Sequence, residues 1–311
     1  MQHSSEETKN PEEIRIKVAI ELASKMGYAI SFDELSLLMK EELSPAEILE
    51  NIQAYKRLYD LLTVKNDLAV LKGYEKLFLE RLSRDKVSKR LLEVAKDFGR
   101  QVIQYCPHLK LIAVTGSIAY NSALKSDDID FFIVTKTKRL WLSILKFLIL
   151  ARAFHFKAFI EGKKVKICLS YAITEEYLTK EMRTRKTPLI AREFLSIHLL
   201  AGSNYYTKIL EKNRWIKKIF PIFYNSKLQK SRHHDKPISA TKTNIFGNAS
   251  NFAVHKFLMI YLSIKAFTLN LSFKKHCRFK DTFEATITLD SLVYTSKKYH
   301  EIEKMYEAFL D

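Results

Sequence analysis

The stretch VTGSIAYNSALKSDDIDFFIV, Val114–Val134, decides how this chain is read. The apolar run Leu109–Thr115 reads as a short buried strand that ends at Gly116-Ser117. A helix over Ser117–Leu124 is expected next, and a second strand over Ile129–Thr135. Backbone N–H groups at a small-residue turn that opens a helix point outward and can hold phosphate. Asp128 and Asp130 stand two positions apart at the head of the second strand. Alternation places them on one face, where two carboxylates can share a divalent cation. Asp127 falls on the other face. Lys125 and Ser126 lie close enough along the chain to touch a phosphate. A phosphate cradle at Gly116/Ser117 beside a metal clamp at Asp128/Asp130 points to chemistry on a nucleoside triphosphate.

Working outward, Arg139–Phe154 reads as a mostly buried helix and VKICLSYAI, Val165–Ile173, as a third strand. From Glu175 the chain reads as helical through TPLIAREFLSIHLL and YYTKILEKNRWIKKIF, with Pro221 as the stop. Tyr224–Asn251 is polar and basic, and reads as an exposed loop containing the His233-His234 pair. Helices are expected at Phe252–Lys274 and Ser296–Leu310, flanking a short β-prone stretch at Ala285–Leu289.

Towards the N-terminus, Glu12–Gly27 carries apolar residues at helical spacing. Ser31 with Glu34 forms a capping box, and Ser44-Pro45 opens a helix running to Leu61. Leu61–Gly73 reads as a hairpin around Lys65-Asn66-Asp67. Three helices followed by a hairpin is winged-helix order. Residues 12–72 carry 8 basic and 11 acidic residues, a balance that argues against phosphate neutralisation and so against DNA binding by this unit.

Charge is segregated along the chain. The formal excess of +17 lies wholly beyond residue 110, and positions 136–280 hold 30 basic and 7 acidic residues. Such a field attracts anions, whether nucleotides, RNA, DNA or acidic membranes. Cys106, Cys168 and Cys277 form no CxxC pair and read as reduced thiols of a cytoplasmic protein. The polar, acidic N-terminus resembles neither a signal nor a transit peptide. Arg139–Phe154 is too short to span a bilayer, and Asn251–Phe273 is interrupted by His255, Lys256 and Lys265, so no membrane insertion is expected.

The motif hydrophobic-Gly-Ser, spacer, Asp-hydrophobic-Asp resembles the signature of the polymerase-beta-like nucleotidyltransferase superfamily. The chain is similar to prokaryotic nucleotidyltransferase-domain proteins through further strings at Arg139–Leu142, Lys166–Leu169, Ala191–Phe194 and Asn213–Ile216. The resemblance implies an α/β (α+β) core with a small mixed sheet, and with the element order and composition above the chain is expected to divide into a winged-helix-like domain (12–72), a helical connector (73–106), a catalytic core (107–174) and a helical C-terminal region (175–311) with a basic loop at 224–251. It also implies ATP or another NTP as donor, Mg²⁺ or Mn²⁺ held by Asp128 and Asp130, and phosphates held at Gly116 and Ser117. The acceptor is open: a protein side chain, an RNA end, a small hydroxyl compound or a lipid precursor. Active members carry a third carboxylate on the third strand, but VKICLSYAI offers Lys166, Cys168 and Ser170 on the corresponding face. Two readings follow: a working nucleotidyltransferase, or the same fold with weakened catalysis acting as a nucleotide- or RNA-binding module.

Overall fold

A computed structural model describes residues 10–232, 245–276, 283–296 and 298–310. The fold is mixed α and β. The N-terminal unit comprises α1 (Pro11–Lys25), β1 (Ile30–Ser31), α2 (Phe32–Ser36), α3 (Pro45–Ala54), α4 (Lys56–Leu61) and the hairpin β2 (Leu62–Lys65) and β3 (Leu68–Leu71). Both helix starts carry reciprocal caps: Ser31 N donates to Glu34 Oε2 at 3.0 Å and Glu34 N to Ser31 Oγ at 3.2 Å, and Ser44 and Glu47 repeat the pattern. Asn66 takes φ +55° at the hairpin turn, a conformation Asn tolerates better than most residues. The strands pair antiparallel in the order β1-β3-β2. The helix expected to reach Leu61 is broken at Tyr55, whose extended backbone (φ −89°, ψ 104°) separates α3 from α4.

One long helix follows, α5 (Lys76–Tyr105), and then the elements of the second sheet: β4 (Leu109–Thr115), β5 (Ile129–Thr135), α6 (Leu140–Ile160), β6 (Ile167–Thr174), α7 (Glu175–Thr184), α8 (Pro188–Ser196) and β7 (His198–Ala201). The chain continues through α9 (Ser203–Lys212), α10 (Trp215–Ile219), α11 (Pro221–Arg232), α12 (Ile245–His276), β8 (Phe283–Ile287), β9 (Ser291–Ser296) and α13 (Lys298–Tyr306). The sheet order is β7-β4-β5-β6-β9-β8, with β5 and β6 parallel and the other neighbours antiparallel.

Several expectations need correction. Ser117–Leu124 is not a helix: only the 3₁₀ turn Gly116–Ile118 forms, and Asn121 at φ +51° prevents its continuation. TPLIAREFLSIHLL is helical only to Ser196; His198–Ala201 lies instead along the open edge of β4. Pro221 opens α11 rather than ending a helix, because its missing N–H costs nothing in a first turn. Tyr224–Arg232 is therefore helical, and α12 begins at Ile245. His233, His234 and the rest of 233–244 lie outside the described residues. Ala285–Leu289 belongs to a hairpin whose second strand, β9, pairs with β6. Three of the six strands thus come from beyond residue 174.

The second sheet buries both faces, as alternation along its strands requires. Leu111, Ala113, Phe132 and Val134 face a core shared with the N-terminal unit, α8 to α11 and α13. Ile112, Val114, Phe131 and Ile133 face a second core built with α5, α6 and α12. Among the described residues no helix is long and apolar enough to cross a membrane.

Candidate functional site

The turn after β4 and the head of β5 meet directly. Thr115 is the register partner of Asp130, so the end of one strand lies beside the start of the other. Gly116 takes φ +67°, and a Cβ built there would lie 2.5 Å from Asp130 Oδ2. Both the backbone angle and the space therefore demand glycine. The carboxylate of Asp130 is held against the bare Cα of the turn. Ser117 is half-buried in the same turn, and Ser122 N donates back to Ser117 O at 2.9 Å, closing the loop.

Asp128 is exposed just before β5, and Asp130 is half-buried two positions on. Asp127 is used by the loop itself, its Oδ2 accepting from Leu124 N at 3.0 Å. Lys125 and Ser126 are exposed on that loop. The parallel neighbour β6 supplies the other wall. Asp130 is in register with Cys168, and a bulge inserts Ser170 between the pairs Phe131–Leu169 and Phe132–Tyr171. With two residues opposing one, Ser170 Oγ donates to Phe131 O at 3.4 Å, and Ser170 and Cys168 both lie close enough to the Asp130 carboxyl to favour its charged form. Lys166 Nζ lies 3.6 Å from Asp128 Oδ1 and donates to Ser126 O at 3.4 Å. The structure thus gathers Gly116, Ser117, Asp128, Asp130, Lys166 and Ser170 at one place.

Burial pushes the Asp130 carboxyl up from 3.8 to about 7. Donation from Ser170 opposes the rise, and the neighbouring Asp128 and Asp127 charges add to it. Close carboxylates that cannot comfortably ionise together form an environment that favours a cation. Among the described residues no group of three or more His, Cys, Asp and Glu side chains is arranged to hold a metal ion.

The chain matches no protein-family model, no curated protein and no solved structure.

One acid on this side of the sheet escaped sequence reasoning. Glu193 projects from α8 and accepts from Tyr120 Oη at 2.7 Å, with Thr115 and Tyr299 close enough to favour its charged form. Tyr299, from α13, lies within electrostatic reach of both Glu193 and Asp130. Burial raises the Glu193 carboxyl, opposed by the donation from Tyr120 and by the Arg192 charge. Arg192 itself is packed between the rings of Tyr120 at 5.2 Å and Phe223 at 5.0 Å. The available signal was an Arg-Glu pair inside the apolar run TPLIAREFLS. Spacing alone could not place it beside Thr115, which is 78 positions earlier in the chain.

Proposed function

We propose that this protein is a nucleotidyltransferase, moving a nucleoside monophosphate from an NTP to a hydroxyl acceptor, with a winged-helix-like N-terminal unit that serves protein contacts rather than DNA. One observation carries the reading: the Asp130 carboxylate is pressed against Gly116 in the turn after β4, with Asp128 two positions before it.

Two carboxylates fit Mg²⁺, which typically takes one or two protein carboxylates and completes its shell with substrate phosphates and water. Asp128 and Asp130 would hold it, or Mn²⁺ in its place, and when bound it would offset triphosphate charge and favour in-line attack at the α-phosphorus. The Ser117 hydroxyl and the backbone N–H groups of the turn would hold the β- and γ-phosphates. Lys125 and Lys166 stand ready to neutralise phosphate oxygens, with Ser126 beside them. Ser170 and Cys168 fix the rotamer of Asp130. Glu193 is a positioning residue, holding Thr115 and with it the entry to the turn.

The Lys166–Asp128 contact favours a second reading, a nucleotide- or RNA-binding module in which the lysine occupies the carboxylate. One experiment separates the two. Incubation with each α-labelled NTP, Mg²⁺ and cell extract should label an acceptor, and Asp128→Asn with Asp130→Asn should abolish labelling while the fold is retained. Equal labelling by the double variant would overturn the assignment. A salt-sensitive RNA gel shift that survives in a double variant incapable of transfer, with no transfer by the wild type, would establish the module instead.

A further inference from the structure

The sheet face opposite the candidate site is covered by two helices that do not finish burying themselves. α6 places Trp141, Ile144 and Phe147 in the core, and α12 places Leu258 and Leu262 there. On their outer sides, however, α6 exposes Ile149, Phe156 and Phe159, and α12 exposes Phe257, Ile264 and Phe267. The α12 positions recur at helical spacing, so they form a stripe opposite the buried one. Phe159 is 79 % exposed and Phe257 71 %, values that few large apolar side chains of a folded protein reach in clusters. The two helices pack on the same core and against each other, which brings their outward stripes into one surface.

The charges borne by the two helices themselves have one sign, with Glu161 at the C-cap of α6 paired to Lys163. The 21 residues of α6 and the 32 of α12 include no Asp or Glu. Exposed Arg152 and Lys157 stand among the apolar residues of α6, and exposed Lys256 beside Phe257 on α12. A second copy of this chain would bring cations against cations, which opposes self-pairing. An anionic bilayer offers what the surface lacks: apolar depth for the rings and negative headgroups for the cations around them. Among the described residues no helix is long and apolar enough to cross a membrane, and the contact proposed is a peripheral one.

We propose that the α6/α12 face docks on anionic lipid membranes, with its phenylalanines inserted at the headgroup level and Arg152, Lys157 and Lys256 against the headgroups. The β5-α6-β6 connection returns the C-terminal end of α6 to the start of β6, where Ile167 N donates to His155 Nε2 at 2.9 Å, near Lys166 and Asp128. Docking through Phe156 and Phe159 therefore brings the candidate site close to the bilayer surface. The proposal stands on the surface alone and does not depend on the activity of that site.

Sedimentation of the full-length protein with vesicles of phosphatidylglycerol and phosphatidylcholine tests it, with light scattering in parallel. Binding is expected at low salt, absent on pure phosphatidylcholine, and reduced by roughly tenfold or more in Arg152→Gln with Lys157→Gln, at about fivefold per lost cation. Phe257→Ser with Phe267→Ser, both exposed positions, should weaken binding comparably while leaving the circular dichroism spectrum unchanged. No sedimentation with anionic vesicles overturns the proposal, as does binding indifferent to the serine variant. A wild-type dimer that Phe257→Ser dissociates also overturns it, assigning the face to a second copy.

Discussion

Asp130 is the residue on which chemistry and stability pull apart. Its carboxyl is pushed up to about 7 chiefly by burial, from an ordinary 3.8. Folding therefore raises its proton affinity, and the stabilising contribution is complete below about pH 4 and is lost as pH rises to about 7. At pH 8 the ionised carboxylate is a burden on the fold. Asp130→Asn should accordingly stabilise the fold more at pH 8 than at pH 5, by a difference on the order of 2 kcal/mol. A pH-independent effect would remove Asp130 from its buried setting. The same group links to a cation: Mg²⁺ at pH 8 should raise the melting temperature of the wild type, because a ligand that binds only the native state stabilises it. Neither Asp130→Asn nor the double aspartate variant should respond, and in the wild type the shift should shrink below pH 7 as protons compete. Differential scanning fluorimetry across pH, with and without Mg²⁺, reads all of these outcomes.

Between elements, the informative contact is the start of α6. Its N-cap position, Arg139, makes no side-chain capping bond. The orphan donors are taken instead by a residue of another helix: Asn251 Oδ1 on α12 accepts from Trp141 N at 2.9 Å and Leu142 N at 3.2 Å. Trp141 then ties the same corner to the β8–β9 turn, its Nε1 donating to Thr288 O at 3.1 Å and Leu289 O at 3.0 Å. Asn251→Ala should cost about 1 kcal/mol, the usual value of a lost N-cap, and should speed amide exchange in α12 and at the start of α6 together. Exchange confined to one helix would show that the cap does not couple them. This is also the scale at which sequence reading succeeds or stops. The Ser31–Glu34 capping box, the helix start at Ser44-Pro45, the hairpin at Asn66 and the strands either side of Gly116 were legible because each depends on residues within a few positions of one another. β7 was not, because His198–Ala201 continues the apolar run of α8 and becomes a strand only by pairing with β4. β9 was hidden likewise by its need for β6. In the site, Gly116, Ser117, Asp128 and Asp130 were local and readable. The bulge that turns Ser170 towards Asp130, and Glu193 behind Thr115, exist only through pairing across long sequence separations.

At the scale of the whole molecule, the N-terminal unit and the rest of the chain share one core, which runs without interruption from Ile16 on α1 to Phe309 near the C-terminus. Arg15 closes it. This guanidinium is 1 % exposed, yet donates to three backbone carbonyls: Phe309 O at 3.0 Å, Leu38 O at 2.9 Å and Ile219 O at 2.6 Å. It also lies over the rings of Phe309, at 4.9 Å, and Phe220, at 5.7 Å. Burial lowers its pKa to about 10, against the pull of Glu12, so it stays cationic at pH 7. One charged side chain thus satisfies carbonyls from the N-terminal unit, the end of α10 and the chain terminus. Arg15→Met keeps volume and apolar contact while removing every donor. Three buried carbonyls left unpaired should cost about 3 kcal/mol, since each unsatisfied group carries its full desolvation penalty. The wild type should unfold in a single cooperative transition in urea, because no interface between the units is free of shared core. Arg15→Met should move the midpoint down while the transition stays single. Two wild-type transitions, or a variant within about 0.5 kcal/mol of the wild type, would mean that the N-terminal unit folds by itself and that Arg15 holds nothing together.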